Sequence, residues 1–285
     1  MSELKKYKMF INGEWIDSES KKTFKTLNPE NNEPWAEVPE ASEKDVDIAV
    51  KAAQKAFDGE WPKLFPRERA KYLKAIAEQL RQNAELLGKI ETIDTGKLFK
   101  ETKTQANYIA EYYDYYAGLA DKVEGTVLPI DKANMQVITT RVPIGVVAAI
   151  IPWNSQMLLT AVKLAPALAM GNSIVIKASE VAPTPLLEFA KLIDKVKLPR
   201  GVVNIITGFP ENCGKVLTSH PKIDRIAFTG GVQTAKQIVK NSAENLSHVT
   251  LELGGKSPVV IFKDARKDNA INGVCLLYTS DAADE

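Results

Sequence analysis

The sequence has little of several residue types, and each shortage excludes a class of protein. Its 285 residues hold two cysteines and two histidines, Cys213, Cys275, His220 and His248. These are too few and too widely spaced for a disulfide framework, a metal site or a triad. Basic and acidic residues nearly balance, at 37 against 36, so no charge field favours nucleic acid or an anionic membrane. No apolar run reaches about 18 residues, and no signal segment follows the first lysines. We therefore expect a soluble, cytoplasmic protein without nucleic-acid or membrane partners.

The composition, with 45% apolar and 26% charged residues, is that of a soluble enzyme with a substantial hydrophobic core. Asn-Gly between apolar flanks predicts a hairpin over residues 10–16. Helices are predicted to start after Ser42, as N-cap, and at Pro66. A further helix is expected over residues 99–119. Residues 123–140 alternate in polarity and contain a turn, which predicts a β-ribbon that leaves the body of the protein.

Beyond residue 141, apolar strands alternate with helix-length segments. Strands are predicted at 146–151, 173–177, 202–206, 225–228 and 248–253. Helices are predicted at about 156–170, 184–198, 211–219 and 232–243. Strands that are apolar throughout and alternate with helices predict an α/β fold, in which a parallel sheet is covered on both faces. In such folds ligands bind at the carboxyl ends of the strands.

The ends of four predicted strands carry chemically informative residues. They are PWN at 152–154, KASE at 177–180, TGG at 229–231 and ELGGK at 252–256. The two common phosphate signatures, G-x-G-x-x-G and G-x-x-x-x-G-K-[ST], are absent. Gly230 and Gly231 directly precede a predicted helix, where a diphosphate could approach free N–H groups. Taken alone, such a Gly-Gly sequence is more often only a turn.

Taken together and in order, the motifs resemble the aldehyde dehydrogenase superfamily. The matching strings are FINGEW (10–15), ETIDTG (91–96), PIGVVAAIIPWN (143–154), KLAPALAMGNSIVIKASE (163–180), TSHPKIDRIAFTGG (218–231) and LELGGKSP (251–258). The resemblance covers residues 8–274 and implies a Rossmann-like sheet with a projecting oligomerisation ribbon and a catalytic domain that is largely absent. The implied division is 1–120 for the N-terminal part of the coenzyme-binding domain, 121–142 for the ribbon, 143–253 for the NAD-binding part, 254–274 for the start of the catalytic domain and 275–285 for a non-native tail.

The resemblance implies a catalytic role for three residues. Asn154 matches the amide that stabilises the oxyanion when a thiolate attacks an aldehyde. Glu252 matches the general base that activates water for thioester hydrolysis, and its leucine neighbours lead us to expect an apolar surround that raises its pKa. An ion pair between Glu252 and Lys256 is the plain structural alternative. Lys163 matches a motif lysine near the active site whose role is less defined.

The implied cofactor is NAD, with NADP as the alternative. Lys177 and Glu180 match the pair that binds the adenosine ribose, where a carboxylate would repel a 2′-phosphate. Trp153 and Phe228 would form walls of the cofactor pocket, with core packing as the alternative for each. No metal is implied. The remaining cofactor-binding candidates are Ile151, Pro152, Ser179, Gly208, Gly214, Thr229, Gly230, Gly231, Leu253 and Gly254.

The reaction also needs a cysteine nucleophile, and neither cysteine fits. Cys213 lies where the family has the adenine end of the pocket, and we expect a packed, inert thiol. Cys275 follows Glu252 by 23 residues, whereas the family interval is roughly 34, which is the distance to its nucleophile. We therefore expect a fragment of an aldehyde dehydrogenase that is inactive as it stands. The parent enzyme would be a homodimer or homotetramer acting on a small aldehyde.

The last eleven residues, CLLYTSDAADE, read as the in-frame translation of a transposase-type sequencing adapter. We interpret residues 275–285 as non-native, and a natural tail is the alternative. Two other functions remain open at this point. One is a natural NAD-binding module or pseudoenzyme without turnover. The other is an acyl-phosphate reductase on the same fold, against which Glu252 and the PWN motif argue.

Overall fold

The computed structural model describes residues 4–280, with side chains up to residue 275. The strands are β1 (Lys5–Lys6), β2 (Met9–Ile11), β3 (Glu14–Ile16), β4 (Thr23–Asn28), β5 (Glu33–Pro39), β6 (Val127–Leu128), β7 (Val137–Ile138), β8 (Val146–Ile150), β9 (Ser173–Lys177), β10 (Val203–Ile206), β11 (Arg225–Gly230) and β12 (His248–Leu253). The helices are α1 (Glu43–Asp58), α2 (Pro66–Gln82), α3 (Ala84–Thr95), α4 (Phe99–Leu119), α5 (Gln156–Ala169), α6 (Thr184–Val196), α7 (Lys215–Thr218), α8 (Val232–Ser242) and α9 (Lys267–Ser280).

A seven-stranded sheet in the order β12-β11-β8-β9-β10-β2-β3 organises the described chain. Its first five strands are parallel, and alternate residues along each strand face opposite cores. In β8, Val147 and Ala149 pack with α2, α4, α5 and α6, whereas Val146 and Ala148 pack with α1, α7 and α8. Because both faces are covered, the central strands β8, β9 and β10 are buried along their whole length. The predicted α/β fold is confirmed.

Strand order reverses beside β8. The chain passes from β8 to β9 and β10 on one side and later places β11 and β12 on the other. In open parallel sheets a crevice forms at the carboxyl end of such a switch point, because the connecting segments diverge there. The ends of β8 and β11 are the PWN and TGG motifs.

The N-terminal hairpin lengthens this sheet. Asn12 and Gly13 have φ values of 55° and 73°, as a type I′ turn requires, so the predicted hairpin is confirmed. Phe10 of β2 is in antiparallel register with Ile205 of β10. The remaining N-terminal strands form a separate three-stranded sheet in the order β1-β5-β4.

Helix starts follow their local signals. The Ser42 side chain accepts from the Asp45 amide, and the Asp45 side chain bonds back to the Ser42 amide, which is a capping box. Helix α2 begins at Pro66, as predicted. The helix predicted over 211–219 differs. A π-helical turn spans Pro210–Gly214 before α7 begins, because the Gly214 amide bonds to the Phe209 carbonyl five residues earlier.

The ribbon predicted over residues 123–140 is present but short. Strands β6 and β7 pair antiparallel through two residues each and are largely exposed. At the other end of the chain, α9 continues through residue 280 and so crosses the predicted boundary at 274/275, since the sequence has no proline or glycine after Gly273 to stop a helix. The origin of the tail stays a prediction, and residues 281–285 lie outside the described part.

No helix in residues 4–280 has the length and apolarity to cross a membrane.

Candidate active site at the carboxyl edge of the sheet

A cavity of about 600 Å³ lies at the switch point; we call it the Lys177 cavity. It is bounded by the ends of β8, β9 and β11, by the π-helical turn and by α8. Most of the cofactor candidates meet in this one place. Those that line it are Ile151, Pro152, Lys177, Ser179, Glu180, Gly214, Phe228, Thr229, Gly230 and Gly231.

Lys177 and Glu180 form an ion pair on one wall of this cavity. Lys177 is buried at the end of β9, and Glu180 is partly exposed. A buried ammonium is stable only beside a compensating charge, so the pair keeps both groups at the wall. The carboxylate offers acceptors to hydroxyl groups and repels a second anion. This wall can therefore recognise a vicinal diol.

Another part of the lining is the start of α8. Gly231 is its N-cap and, as a glycine, has no side chain to cap the first helical N–H groups, and Gly231 and Thr234 both line the cavity. Gly230 has a φ of 157°, and a Cβ there would lie 2.7 Å from Phe228 Cζ. A glycine is thus required, and it lets a ligand approach the helix N-terminus, which favours an anion.

A second cavity, of about 750 Å³, adjoins the first; we call it the Lys163 cavity. The two share Pro152, Phe228, Thr229 and Gly230, and Lys163 lines only the second. The residues predicted for the end of β12 also line the second cavity. They are Glu252, Leu253 and Gly254. Candidates for cofactor binding and for catalysis are therefore neighbours across a shared wall.

Lys163 of α5 reaches across to β11. Its Nζ donates to Thr229 Oγ1 over 2.7 Å. Burial lowers the pKa of Lys163 to about 8, and the nearby Glu252 carboxylate opposes part of that shift. The lysine is thereby brought into the range in which it can exchange a proton near neutral pH.

The expected apolar surround of Glu252 is wrong for the described chain. Glu252 is exposed, and so is its neighbour Leu253. The reason is topological: β12 is an edge strand with a partner, β11, on one side only. Leucines adjacent in sequence point to the opposite face of a strand from Glu252 and do not enclose it. Glu252 stays a predicted general base, now in a solvated setting.

Three candidates line neither cavity. Asn154 is buried in the turn between β8 and α5, with Trp153 beside it partly exposed. Gly208 is buried, and a Cβ there would lie 3.0 Å from Cys213 Cβ, so its role in this structure is close packing. Ten further residues, most of them on helices and loops and one at the end of β8, complete the Lys177 cavity. They were missed in the sequence because a single residue on a helix or loop gives no distinctive sequence signal. They are Ile150, Val181, Pro210, Glu211, Lys215, Thr218, Thr234, Gln237, Ile238 and Asn241.

The remaining sequence candidates lie away from both cavities. Among residues 4–280 no three His, Cys, Asp or Glu side chains gather in a way that could hold a metal ion. His220 Nε2 is 3.4 Å from Asp47 Oδ1, which ties α1 to the segment after α7. His248 is exposed at the start of β12.

The two thiols should differ sharply in reactivity. Cys213 is fully buried and its pKa is raised to about 12 by that burial, whereas Cys275 is exposed. Only thiolates react with disulfide reagents. In the native chain we therefore expect one cysteine, Cys275, to react quickly and the second, Cys213, to react only in denaturant. Thiol titration with and without guanidinium measures this. Cys275→Ala should leave no fast thiol, and a fast thiol in that variant would contradict the buried position of Cys213.

A cleft at the switch point of a doubly wound parallel sheet, with an open helix N-terminus on one wall, defines the class: an α/β protein whose ligand site lies at the carboxyl edge of the sheet. Within that class the chain belongs to the aldehyde dehydrogenase family, whose profile matches residues 15–280.

Curated relatives support the assignment. The chain is 53% identical over 270 residues to (Z)-2-((N-methylformamido)methylene)-5-hydroxybutyrolactone dehydrogenase of Acinetobacter baylyi, an alignment that covers 94% of this chain and 55% of the relative. It is 41% identical over 273 residues to betaine aldehyde dehydrogenase of Bacillus subtilis, with 93% and 55% covered. The chain thus spans about half the length of the curated relatives it matches.

Solved structures agree with the fold. The NAD+ complex of an aldehyde dehydrogenase from Bacillus cereus superposes with a TM-score of 0.91 at 40% identity, covering 98% of this chain and 58% of that one. Betaine aldehyde dehydrogenase from Staphylococcus aureus in complex with NAD+ gives 0.89 at 38% identity, covering 93% and 53%. At these identities the shared architecture of the sheet and its helices is established.

Proposed function

We propose that this chain binds NAD in the Lys177 cavity and is the cofactor-binding part of an enzyme that oxidises an aldehyde to a carboxylic acid. One observation carries the proposal: the Lys177–Glu180 pair and the open N-terminus of α8 line a single cavity. The related structures from Bacillus cereus and Staphylococcus aureus were solved with NAD+, which supports the choice of ligand.

Each wall of the cavity would hold a different part of the dinucleotide. Glu180 would accept hydrogen bonds from the adenosine ribose hydroxyls, and Lys177 would hold the carboxylate in place. The N–H groups at the start of α8 would bind the diphosphate, which Gly230 lets approach. The residues from the π-helical turn and α8 would then enclose the adenine end.

On the aldehyde side, bound NAD would supply the hydride acceptor. The Asn154 amide would donate to the oxygen of the substrate as negative charge develops on it. The Lys163 ammonium donates a hydrogen bond to Thr229 Oγ1 and interacts electrostatically with the Glu252 carboxylate. Glu252, which is solvated, would take a proton from the water that hydrolyses the acyl intermediate.

The division of the chain follows from this proposal. Residues 143–253 would bind NAD, with residues 1–120 completing the coenzyme-binding domain. The ribbon in residues 121–142 would pair with a second copy, and residues 254–274 would begin a catalytic domain. The exposed positions of β6 and β7 support the role of the ribbon in assembly into a homodimer or homotetramer.

Calorimetric titration of the purified chain with NAD+ and NADP+ tests cofactor binding. We expect NAD+ to bind at least about tenfold more tightly than NADP+, because Glu180 would repel the 2′-phosphate. Glu180→Gln should narrow that preference by about tenfold, since the repulsion is lost while Lys177 remains. Glu211→Gln is the matched control, because Glu211 also lines the cavity but does not pair with Lys177.

Two outcomes would count against the proposal. Absence of NAD+ binding by a folded chain would exclude the Lys177 cavity as the cofactor site. An equal loss of preference in Glu180→Gln and Glu211→Gln would show that net charge in the cavity, and not the ribose wall, sets the specificity.

A further inference from the structure

A fully buried ammonium group lies between α3 and α4. Lys97 is 1% exposed and is among the largest side chains wholly removed from solvent in the described chain. Its Nζ is 2.8 Å from Glu101 Oε1 and 3.0 Å from Ser155 Oγ. A charge in such a place is costly unless it is paired and hydrogen-bonded. The two contacts at this buried charge therefore point to a specific task for it.

The backbone and the local charges fix Lys97 in this place. Gly96 ends α3 in a left-handed conformation with a φ of 77°, and this turns the chain inward. Glu101 follows one helical turn later, on α4. Glu91 of α3 is also buried and acts on Lys97 through its charge. The ammonium is thus paired with the Glu101 carboxylate, and the Glu91 carboxylate adds only a longer-range attraction.

The third group on Lys97 belongs to the candidate active site. Ser155 is the N-cap of α5 and directly follows Asn154. A serine at an N-cap ordinarily accepts from the amides of its own helix, yet Ser155 makes no side-chain capping bond. Its hydroxyl is instead joined to the Lys97 ammonium. The hydroxyl therefore links the segment between α3 and α4 to the Asn154 turn at the expense of a capping bond.

The other end of the turn is held independently. Gln156, which is buried, donates from Nε2 to the Trp153 carbonyl over 3.1 Å. This bond closes residues 153–156 on themselves, and the Lys97 contact joins the closed turn to the segment between α3 and α4. Removing this contact should loosen the turn without opening it.

We propose that Lys97 is a positioning residue for Asn154, which it holds in place through the hydroxyl of Ser155. The importance of this for catalysis rests on the proposed function, in which Asn154 donates to the developing oxyanion. An amide of this kind is effective only if it is aimed before the charge develops. The buried ammonium supplies a contact that water cannot replace.

The side-chain amide of Asn154 reports on the proposal directly. The chain labelled with 15N-asparagine gives side-chain amide signals, and Asn154→Asp identifies the signal of interest. Lys97→Met and Ser155→Ala should each speed solvent exchange of this amide by about tenfold, the equivalent of one lost hydrogen bond. Asn204, whose amide donates to the Gly201 carbonyl over 2.7 Å, is the internal reference and should be unchanged.

Conservative and surface variants separate positioning from folding. Ser155→Thr keeps the hydroxyl and should retain slow exchange at Asn154. Lys103→Met removes an exposed lysine of α4 and should have no effect. Ser155→Ala removes a single oxygen and keeps the test decisive even where Lys97→Met fails to fold. Unchanged exchange at Asn154 in Ser155→Ala, or equal acceleration at Asn204, would overturn the proposal.

A parallel NAD+ titration keeps the two proposals apart. These exchange measurements are made without cofactor, so they report on Lys97 whether or not NAD+ binds. If NAD+ leaves the wild-type spectrum unchanged, the proposed function fails. If the Asn154 amide exchanges faster in Ser155→Ala than in the wild type under the same conditions, the positioning role of Lys97 is supported even in that case.

Discussion

The purified polypeptide of 285 residues is expected to bind NAD+ and yet to leave aldehydes unoxidised. The reaction requires a thiolate beside the oxyanion donor, and loss of a nucleophile typically lowers turnover on the order of a millionfold. Cys213 is fully buried with a pKa raised to about 12, so it is protonated at neutral pH. Cys275 is exposed on α9 and lacks the sequence surroundings of the family nucleophile.

The formation of NADH from NAD+ and a panel of small aldehydes measures this turnover. Betaine aldehyde dehydrogenase of Bacillus subtilis serves as the active reference in the same assay. The wild-type chain and Cys275→Ala should both give the rate of the buffer alone. A wild-type rate that Cys275→Ala abolishes would show that Cys275 is the nucleophile, and our assignment of both thiols would then be wrong.

Replacing Glu91 with glutamine should raise the free energy of unfolding by about 3 kcal/mol at pH 8. Glu91 is fully buried, and within the described residues neither of its carboxylate oxygens has a hydrogen-bond partner. Burial raises its pKa to about 7; Lys97 opposes this shift and Glu101 adds to it. The ionised Glu91 carboxylate therefore lowers the free energy of unfolding.

The direction of the pH dependence follows from the two pKa values. The folded chain, with a Glu91 pKa of about 7, binds the proton more tightly than the unfolded chain, in which the pKa has its ordinary value of 4.5. Stability is therefore lost as pH rises between these values and is constant above them. Glutamine removes this loss, so the gain from Glu91→Gln should be about 2 kcal/mol smaller at pH 5.5 than at pH 8.

Urea unfolding of the two chains at both pH values measures this difference. Glu85→Gln, at an exposed position of the same helix, is the control and should show no comparable gain at pH 8. An equal effect of Glu91→Gln at both pH values would mean that Glu91 does not titrate in this range. A loss of stability at pH 8 would mean that its charge is a net benefit through Lys97.

Local signals were sufficient for the helix starts and the hairpin. The capping box at Ser42 involves residues three apart, and the Asn12-Gly13 turn involves adjacent residues. Helix α4 was predicted with its observed bounds. Such features depend on backbone geometry within one turn, which neighbouring residues determine. The π-helical turn at 210–214 was missed because its bond joins residues five apart, in a pattern with no distinctive sequence.

Much of the candidate site could also be predicted, for a topological reason. Lys177 and Gly230 are far apart in sequence but end parallel strands of one sheet. Parallel strands bring their carboxyl ends to the same edge, so the motifs that follow them meet without further information. The contributions of helices, such as Lys215 and Gln237, could not be found this way, because one exposed polar residue on a helix resembles any other.

By itself the sequence determined the order of strands and helices, because periodicity and turn chemistry are local. Its motifs, taken in order, carried the resemblance to the family. Tertiary structure alone decided which charges are buried. Glu91 and Lys97 lie in a polar stretch around a helix end, where charged residues are ordinarily solvated. They are buried because α4 packs against α3 and α5, which brings Lys97 to Ser155, 58 residues away. Burial depends on such distant contacts, and no local pattern encodes them.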